Sequence, residues 1–319
     1  MKTAMAVVGK WPSILPMLGV DQELLSGKHV DCPLCDRKKD FRFDDNEGAG
    51  TWICVCGGGN GWSLLNELKG WDFRTAAREV DKVIGNAKSV EIVKVDDTQK
   101  RKNRLNKMYK RSTPAETSDH VLSYLKHRGL TVKTLAQISP RLRVVESLDY
   151  YEDGQVAGTF DSMVSLVTQN GKAVTLHVTY LDEGDKANIE SSRKILPTLE
   201  KLSGAACELF EFSDELGVAE GVETALSAFE LFNVPTWACI NSGNMEGFKV
   251  PEGVTKFHIF GDSDAGFTGQ ASAFSLAKKT VEAARRARRK LEVTVHIPDF
   301  VKGRKSTDWN DVLRESRLI

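Results

Sequence analysis

The chain has 319 residues, with 44 Lys and Arg balanced by 44 Asp and Glu, so its formal net charge is zero. A composition of 41% hydrophobic and 28% charged residues is that of a globular protein, and the length accommodates about two domains. There is no global basic field to announce nucleic acid. No apolar run reaches the ~18 residues of a membrane span, and Lys10, Trp11 and Pro12 break up the mildly apolar start, which argues against a signal peptide.

In chain order, a short helix is expected over 11–18, limited by Pro12 and Pro16. Residues 41–43 and 51–53 alternate like two strands of a hairpin, joined by the turn-forming run Asp44-Asp45-Asn46-Glu47-Gly48. Helical spacing of apolar residues follows at 62–68 and 73–84. Four of the six cysteines lie around this hairpin, as Cys32-x-x-Cys35 and Cys54-x-Cys56. Without a secretory signal, paired cysteines across a hairpin point to metal rather than disulfides. Four thiolates suit a closed, tetrahedral, structural Zn²⁺ site. The second pair is one residue shorter than a usual knuckle, so the fourth ligand stays open, with His29 as a substitute. Cys207 and Cys239 are isolated and read as buried thiols.

Residues 89–118 read as a basic flexible linker: from Lys94 to Arg111 eight basic residues face Asp96 and Asp97 alone. A solvated tether and a tether that touches phosphates are both compatible with this. Beyond it, a helix is expected at 121–126 and strands at 163–167 and 174–180, the latter two joined by the hairpin signal Asn170-Gly171. From 216 the pattern alternates: strand 217–219, helix 222–232, strands 236–240 and 256–260, helix 269–290, strand 292–297 and helix 309–315. This order implies a largely parallel sheet covered by helices.

In such sheets sites form at the C-terminal strand ends. Glu220, Asp262, Asp264 and Asp308 all fall there, after three different strands. Carboxylates gathered at one sheet edge repel one another unless a hard divalent cation joins them, and Mg²⁺ or Mn²⁺ fits an all-oxygen acidic set. Phosphoryl transfer is the chemistry such a cage serves. Glu223, one turn into its helix, suits a helix-dipole role or a site role, and Asp311 shares a helical face with Asp308. Lys186, Arg193 and Lys194 precede the acids and are candidates for nucleotide or template phosphates. Lys278, Lys279, Arg285, Arg286, Arg288, Arg289 and Lys290 make the long helix basic, with a solvated face or a nucleic-acid contact as its two readings.

The stretches Glu220-Gly221-Val222-Glu223-Thr224-Ala225-Leu226, Asp262-Ser263-Asp264-Ala265-Gly266 and Asp308-Trp309-Asn310-Asp311 resemble the Toprim domain of bacteriophage and plasmid primases. The front, from Trp11-Pro12-Ser13-Ile14-Leu15 through Gly50-Thr51-Trp52 to Gly61-Trp62-Ser63-Leu64-Leu65, resembles the zinc ribbon of phage helicase-primases. Tyr124-Leu125-Lys126-His127-Arg128-Gly129-Leu130 looks like the portion that precedes Toprim in such primases.

The resemblance implies an α/β protein in four parts. These are a zinc-ribbon template-binding domain (1–88), the linker (89–118), the N-terminal part of a primase core (119–215) and a Toprim domain (216–319). It implies a DNA-dependent RNA polymerase making short primers on single-stranded DNA from NTPs, in phage or plasmid replication and in the bacterial host cytoplasm. Asp262, Asp264 and Asp308 would hold metal, and Glu220 would be the general base or a metal-linked acid. The sequence has no Gly-x-x-x-x-Gly-Lys-Ser/Thr phosphate loop, so a helicase is expected as a separate partner. A Toprim-type metal-dependent nuclease and a non-catalytic zinc-containing single-strand binder are the alternatives.

Overall fold

The computed structural model describes residues 6–35, 37–85, 87, 97–131, 134, 137, 141–152 and 154–317. Its contacts divide the chain into two units, Met1–Val95 and Asp96–Ile319.

In the first unit, helix α1 (Trp11–Met17) forms despite its prolines. Pro12 lies in the first turn, where its missing N–H has no helical partner to lose. The expected hairpin is present as β1 (Arg42–Phe43) and β2 (Trp52–Cys54), in antiparallel register with Phe43 opposite Trp52. A third strand, β3 (Gly57–Gly59), pairs with β2 and was hidden because three glycines carry no side-chain pattern. Helix α2 (Gly61–Lys69) starts with a capping box between Asn60 and Ser63, and α3 (Phe73–Val83) is capped by Asp72 accepting from the Thr75 N–H at 2.8 Å. Trp11, Ile14, Leu15, Phe41, Phe43, Leu64, Leu65 and Val80 are buried together. Gly61 is required at the start of α2, since a methyl there would lie 2.2 Å from the Trp11 indole.

Of the stretch read as a flexible linker, residues 89–96 lie outside the described residues. The rest differs from a tether. Thr98–Arg111 is helix α4, and its Leu105 and Met108 are buried among Val145, Tyr150, Val164 and Val178. Two apolar residues three apart anchor a helix whose other positions are nearly all polar.

The second unit continues with β4 (Thr113–Pro114) and α5 (Asp119–His127), capped by the Ser118 hydroxyl. The meander β5 (Leu142–Glu152), β6 (Gln155–Gln169) and β7 (Lys172–Asp182) follows, with short β8 (Asp185–Lys186) and β9 (Arg193–Ile195) paired to β7. Asn170 and Gly171 both take left-handed φ in the β6–β7 turn, as a two-residue hairpin requires. The strand β5 was not anticipated. Its register with β6 slips between Val145 and Leu148, where Ser147 has φ +50°, and that bulge breaks the alternation on which strand recognition depends.

The remainder is β10 (Ala206–Cys207), β11 (Glu215–Ala219), α6 (Val222–Phe232), β12 (Thr236–Ala238), α7 (Ser242–Glu246), β13 (Lys256–Phe260), β14 (Ser263–Asp264), α8 (Thr268–Arg286), β15 (Glu292–His296), β16 (Ser306–Thr307) and α9 (Trp309–Ser316). Strands β12, β11, β13 and β15 are parallel. β10 joins them to the antiparallel meander by pairing with both β12 and β6. One sheet, in the order β15-β13-β11-β12-β10-β6-β5-β4, therefore crosses the expected boundary at 215/216. Among the described residues no helix is long and apolar enough to cross a membrane.

Candidate active site and cysteine cluster

In the first unit Cys32 and Cys35 flank a tight turn, with the Leu34 N–H 3.4 Å from the Cys32 sulfur. Cys54 ends β2, and Val55 and Cys56 form a two-residue turn that puts Cys54 opposite Gly57. That reversal is why the short Cys54-x-Cys56 spacing works: an extended chain points both side chains to one face but about 6.6 Å apart, whereas a hairpin tip lets the sulfurs converge. The four Sγ atoms lie within 4.8 Å of one another, with Cys32–Cys56 and Cys35–Cys54 each at 3.7 Å. Sulfurs at the corners of a tetrahedron around Zn²⁺ with Zn–S of about 2.3 Å stand about 3.8 Å apart, so the cluster has the size of a zinc site. Burial pushes the Cys54 thiol up, and the backbone N–H of Arg37 lowers that of Cys35. His29 is not in this group. Its Nε2 lies 3.2 Å from the Arg42 guanidinium.

In the second unit two acids sit at the ends of parallel strands, while Asp308, expected after the strand at 292–297, follows the short β16 instead. Glu220 follows β11, Asp262 follows β13, and Asp308 caps α9. Glu220, Asp262 and Asp308 line one cavity of about 420 Å³ together with Arg128, His177, Lys186, Arg193 and Asn241. Burial, then the neighbouring charges of Glu220, Asp308 and Asp264, push the Asp262 carboxyl up to about 8, and its buried Oδ1 has no hydrogen-bond partner. Burial also raises Glu220 against the pull of Arg193, and raises Asp308. Three half-buried carboxyls with raised proton affinity, one with an orphaned oxygen, fit a divalent cation, although they do not converge as tightly as the cysteines. Among the described residues only the cysteines form a group of three or more such ligand atoms all within 4.8 Å.

Asp264 is used differently. Its Oδ1 accepts from the N–H groups of Gly266 (2.9 Å) and Thr268 (3.2 Å), and its Oδ2 from Gly269 (2.8 Å), which holds its carboxyl below the ordinary range. It thus ties the loop after β13 to the start of α8. Gly269 permits this approach, because a methyl there would lie 2.6 Å from the Asp262 carbonyl. Asp311 is spent on a capping box with Asp308, whose Oδ1 accepts from the Asp311 N–H at 2.8 Å.

The three basic candidates separate. Arg193 lines the cavity and its charge lowers both Glu220 and Asp262. Lys186 is in the wall, but its ammonium is paired with Glu223 at 2.8 Å. Lys194 also lines the cavity, but its ammonium lies 3.7 Å from the Tyr150 ring centroid and 2.9 Å from the Tyr151 carbonyl. Arg289, on the basic helix run, donates to the Val250, Pro251 and Val254 carbonyls and is structural.

Two site residues escaped the sequence reading. Arg128 has a buried Nε without a partner, and its guanidinium lies 5.7 Å from the Tyr124 ring centroid. His177 is buried, and burial lowers it to about 4, so it is neutral at pH 7. The signal for His177 was the polar row Thr175, His177 and Thr179 alternating with apolar residues along β7, all buried. Ile240, also in the wall, has φ +75°, which β-branched residues avoid, and the following turn brings the Ser242 N–H to Glu220.

Family models match three stretches of the chain. Residues 27–62 match the zinc-binding domain of primase-helicase, 99–206 match a domain of unknown function (DUF7146), and 215–317 match the Toprim domain. Among solved structures, the chain is similar to the zinc-binding and RNA polymerase domains of the Aquifex aeolicus primase. That match has 14% identity and a TM-score of 0.45, and covers 95% of this chain and 80% of that one. A DnaG primase catalytic domain bound to ssDNA matches at 11% identity and a TM-score of 0.43, over 68% of this chain and 76% of that one. The chain thus joins a zinc ribbon of the primase-helicase type to a Toprim domain.

Proposed function

We propose that the protein is a DNA primase, a nucleotidyltransferase that makes short oligoribonucleotides on single-stranded DNA in phage or plasmid replication. The observation that carries this reading is the polarity of one cavity. Glu220, Asp262 and Asp308 line it together with Arg128, Arg193 and the Lys186–Glu223 pair. A triphosphate needs cations along its phosphates and carboxylates for the divalent ion that travels with it.

In this reading Asp262 and Asp308, with Glu220 beside them, hold Mg²⁺ or Mn²⁺, which when bound neutralises charge on the reacting phosphate. Arg193 and Arg128 bind the β- and γ-phosphates. Glu220, with its raised proton affinity, accepts the proton of the attacking 3′-hydroxyl. The O3′–Pα bond forms, the Pα–O bond to the leaving group breaks, and pyrophosphate departs. The four cysteines hold Zn²⁺ in a structural site, and the zinc ribbon contacts the template. A replicative helicase is supplied by another chain.

The test is a product gel on single-stranded DNA with all four NTPs and Mg²⁺ or Mn²⁺, beside a lane without NTPs. Labelled oligomers that need NTPs and vanish in Asp262→Ala support the proposal. Degradation of DNA without NTPs would assign the cavity to a nuclease, and salt-sensitive binding without turnover would make it a binding protein.

A further inference from the structure

We infer that the outer face of α4 docks the phosphate backbone of the single-stranded DNA template. This rests on the primase reading for the identity of the strand. Helix α4 has 14 residues, of which seven are Lys or Arg and none is acidic, in a chain whose net charge is zero. The arrangement weakens the helix. Lys100 and Arg104, and Lys107 and Arg111, place like charges four apart, and Lys100 and Arg101 oppose the helix dipole in the first turn. A run of positive charge kept against helix stability calls for an anionic partner.

The structure makes this face a fixed surface. Leu105 and Met108 are buried against Val145, Val164 and Val178, and Arg111 donates to the Glu146 and Ser147 carbonyls. Lys102, Lys107 and Lys110 are exposed, and among the described residues no carboxylate lies within ion-pair distance of them. Asn103 and Asn106 join Lys107 and Lys110 around a shallow hollow and add neutral hydrogen-bonding groups. At ~1.5 Å per residue the helix is about 20 Å long, enough to follow several successive phosphates. Val178 alternates with His177 along β7, so α4 covers the face of the meander opposite the cavity. The docking face therefore shares no residue with the catalytic wall.

The experiment measures binding of an oligo-dT of roughly 20 nucleotides to the full chain by fluorescence anisotropy, without NTPs, from about 50 to 300 mM salt. The triple variant Lys102→Gln, Lys107→Gln, Lys110→Gln should lower the slope of log K against log salt by about 2, near 0.7 per lost phosphate contact. Affinity at about 100 mM salt should fall at least tenfold. The Lys→Arg triple variant should bind like wild type, and circular dichroism should show both variants folded. An unchanged slope overturns the proposal, as does tighter binding of a duplex of equal length that is lost in the same variant. Primer synthesis by wild type is scored separately. If no primers form but the slope falls, the polymerase reading fails and the docking face stands.

Discussion

The Lys186 ammonium lies 2.8 Å from the Glu223 carboxylate, and the Tyr124 hydroxyl donates to the same oxygen at 2.5 Å. Glu223 is only 4% exposed. Burial alone would raise its proton affinity, but Lys186 and Tyr124 outweigh it and hold the carboxyl far below the ordinary range. Glu223→Gln leaves Lys186 charged in the wall and should cost about 3 kcal/mol at pH 7, as breaking a buried pair does. Because the folded-state proton affinity is depressed, this stabilisation is present above the unfolded carboxylate's titration near pH 4.5 and fades as pH falls below it. Urea titrations should therefore show a smaller difference between wild type and variant at pH 3 than at pH 7.

Asp262 has the opposite sign. Its proton affinity is raised from 3.8 to about 8, so the folded state holds more protons than the unfolded one. Its ionisation detracts from stability increasingly as pH rises from about 4 to about 8, then levels off. In metal-free protein, Asp262→Asn should raise Tm, more at pH 8 than at pH 5, while primer synthesis drops roughly a hundredfold or more. In wild type the proton and Mg²⁺ compete for this carboxylate, so calorimetric Mg²⁺ affinity should climb with pH up to about 8 and then flatten. A pH-independent affinity between 6 and 8 would contradict the shift.

Where a single element carries its own pattern, the sequence was legible. Helix Val222–Phe232 and strand Lys256–Phe260 were bounded to the residue, because each is an apolar run with a turn at either end. Glu220 and Asp262 could be placed at strand ends for the same reason, whereas Asp308 follows the short β16, which has no pattern of its own. What was illegible depends on pairs distant along the chain. Arg128 reaches the cavity because Asn310 binds its carbonyl at 2.7 Å from 182 residues away, and no local spacing reports that. The Ser147 bulge hid β5, and the charges of α4 concealed its two buried anchors. The division of labour between Asp262 and Asp264 is set by backbone N–H groups at the start of α8, which side-chain types do not reveal.

The cysteine cluster predicts a sharp contrast between neighbours. Cys56→Ala should lose zinc, because its sulfur completes the tetrahedron at 3.7 Å from Cys32. His29→Ala should keep one zinc per chain. Elemental analysis of both variants decides this. Chelation of the metal from wild type should also unpack Trp11 and Trp52, which share a small core with Cys32 and Cys54, seen as a red shift of tryptophan emission.

Arg193 and Lys194 are adjacent in β9 yet face different surroundings, which makes them a controlled pair. Both line the cavity, but the Arg193 charge acts on Glu220 and Asp262, whereas the Lys194 ammonium lies over Tyr150. If Arg193 holds triphosphate, Arg193→Ala should raise KM for NTPs about tenfold, the worth of a charge-assisted hydrogen bond. Lys194→Ala should leave KM within about twofold and lower Tm instead, since it removes a partly desolvated cation–π contact of about 1–2 kcal/mol. Steady-state kinetics at saturating template, with thermal melts of the same preparations, separate the two. Equal effects on KM would mean that strand alternation in β9 does not sort these residues and that Lys194 also reaches the nucleotide.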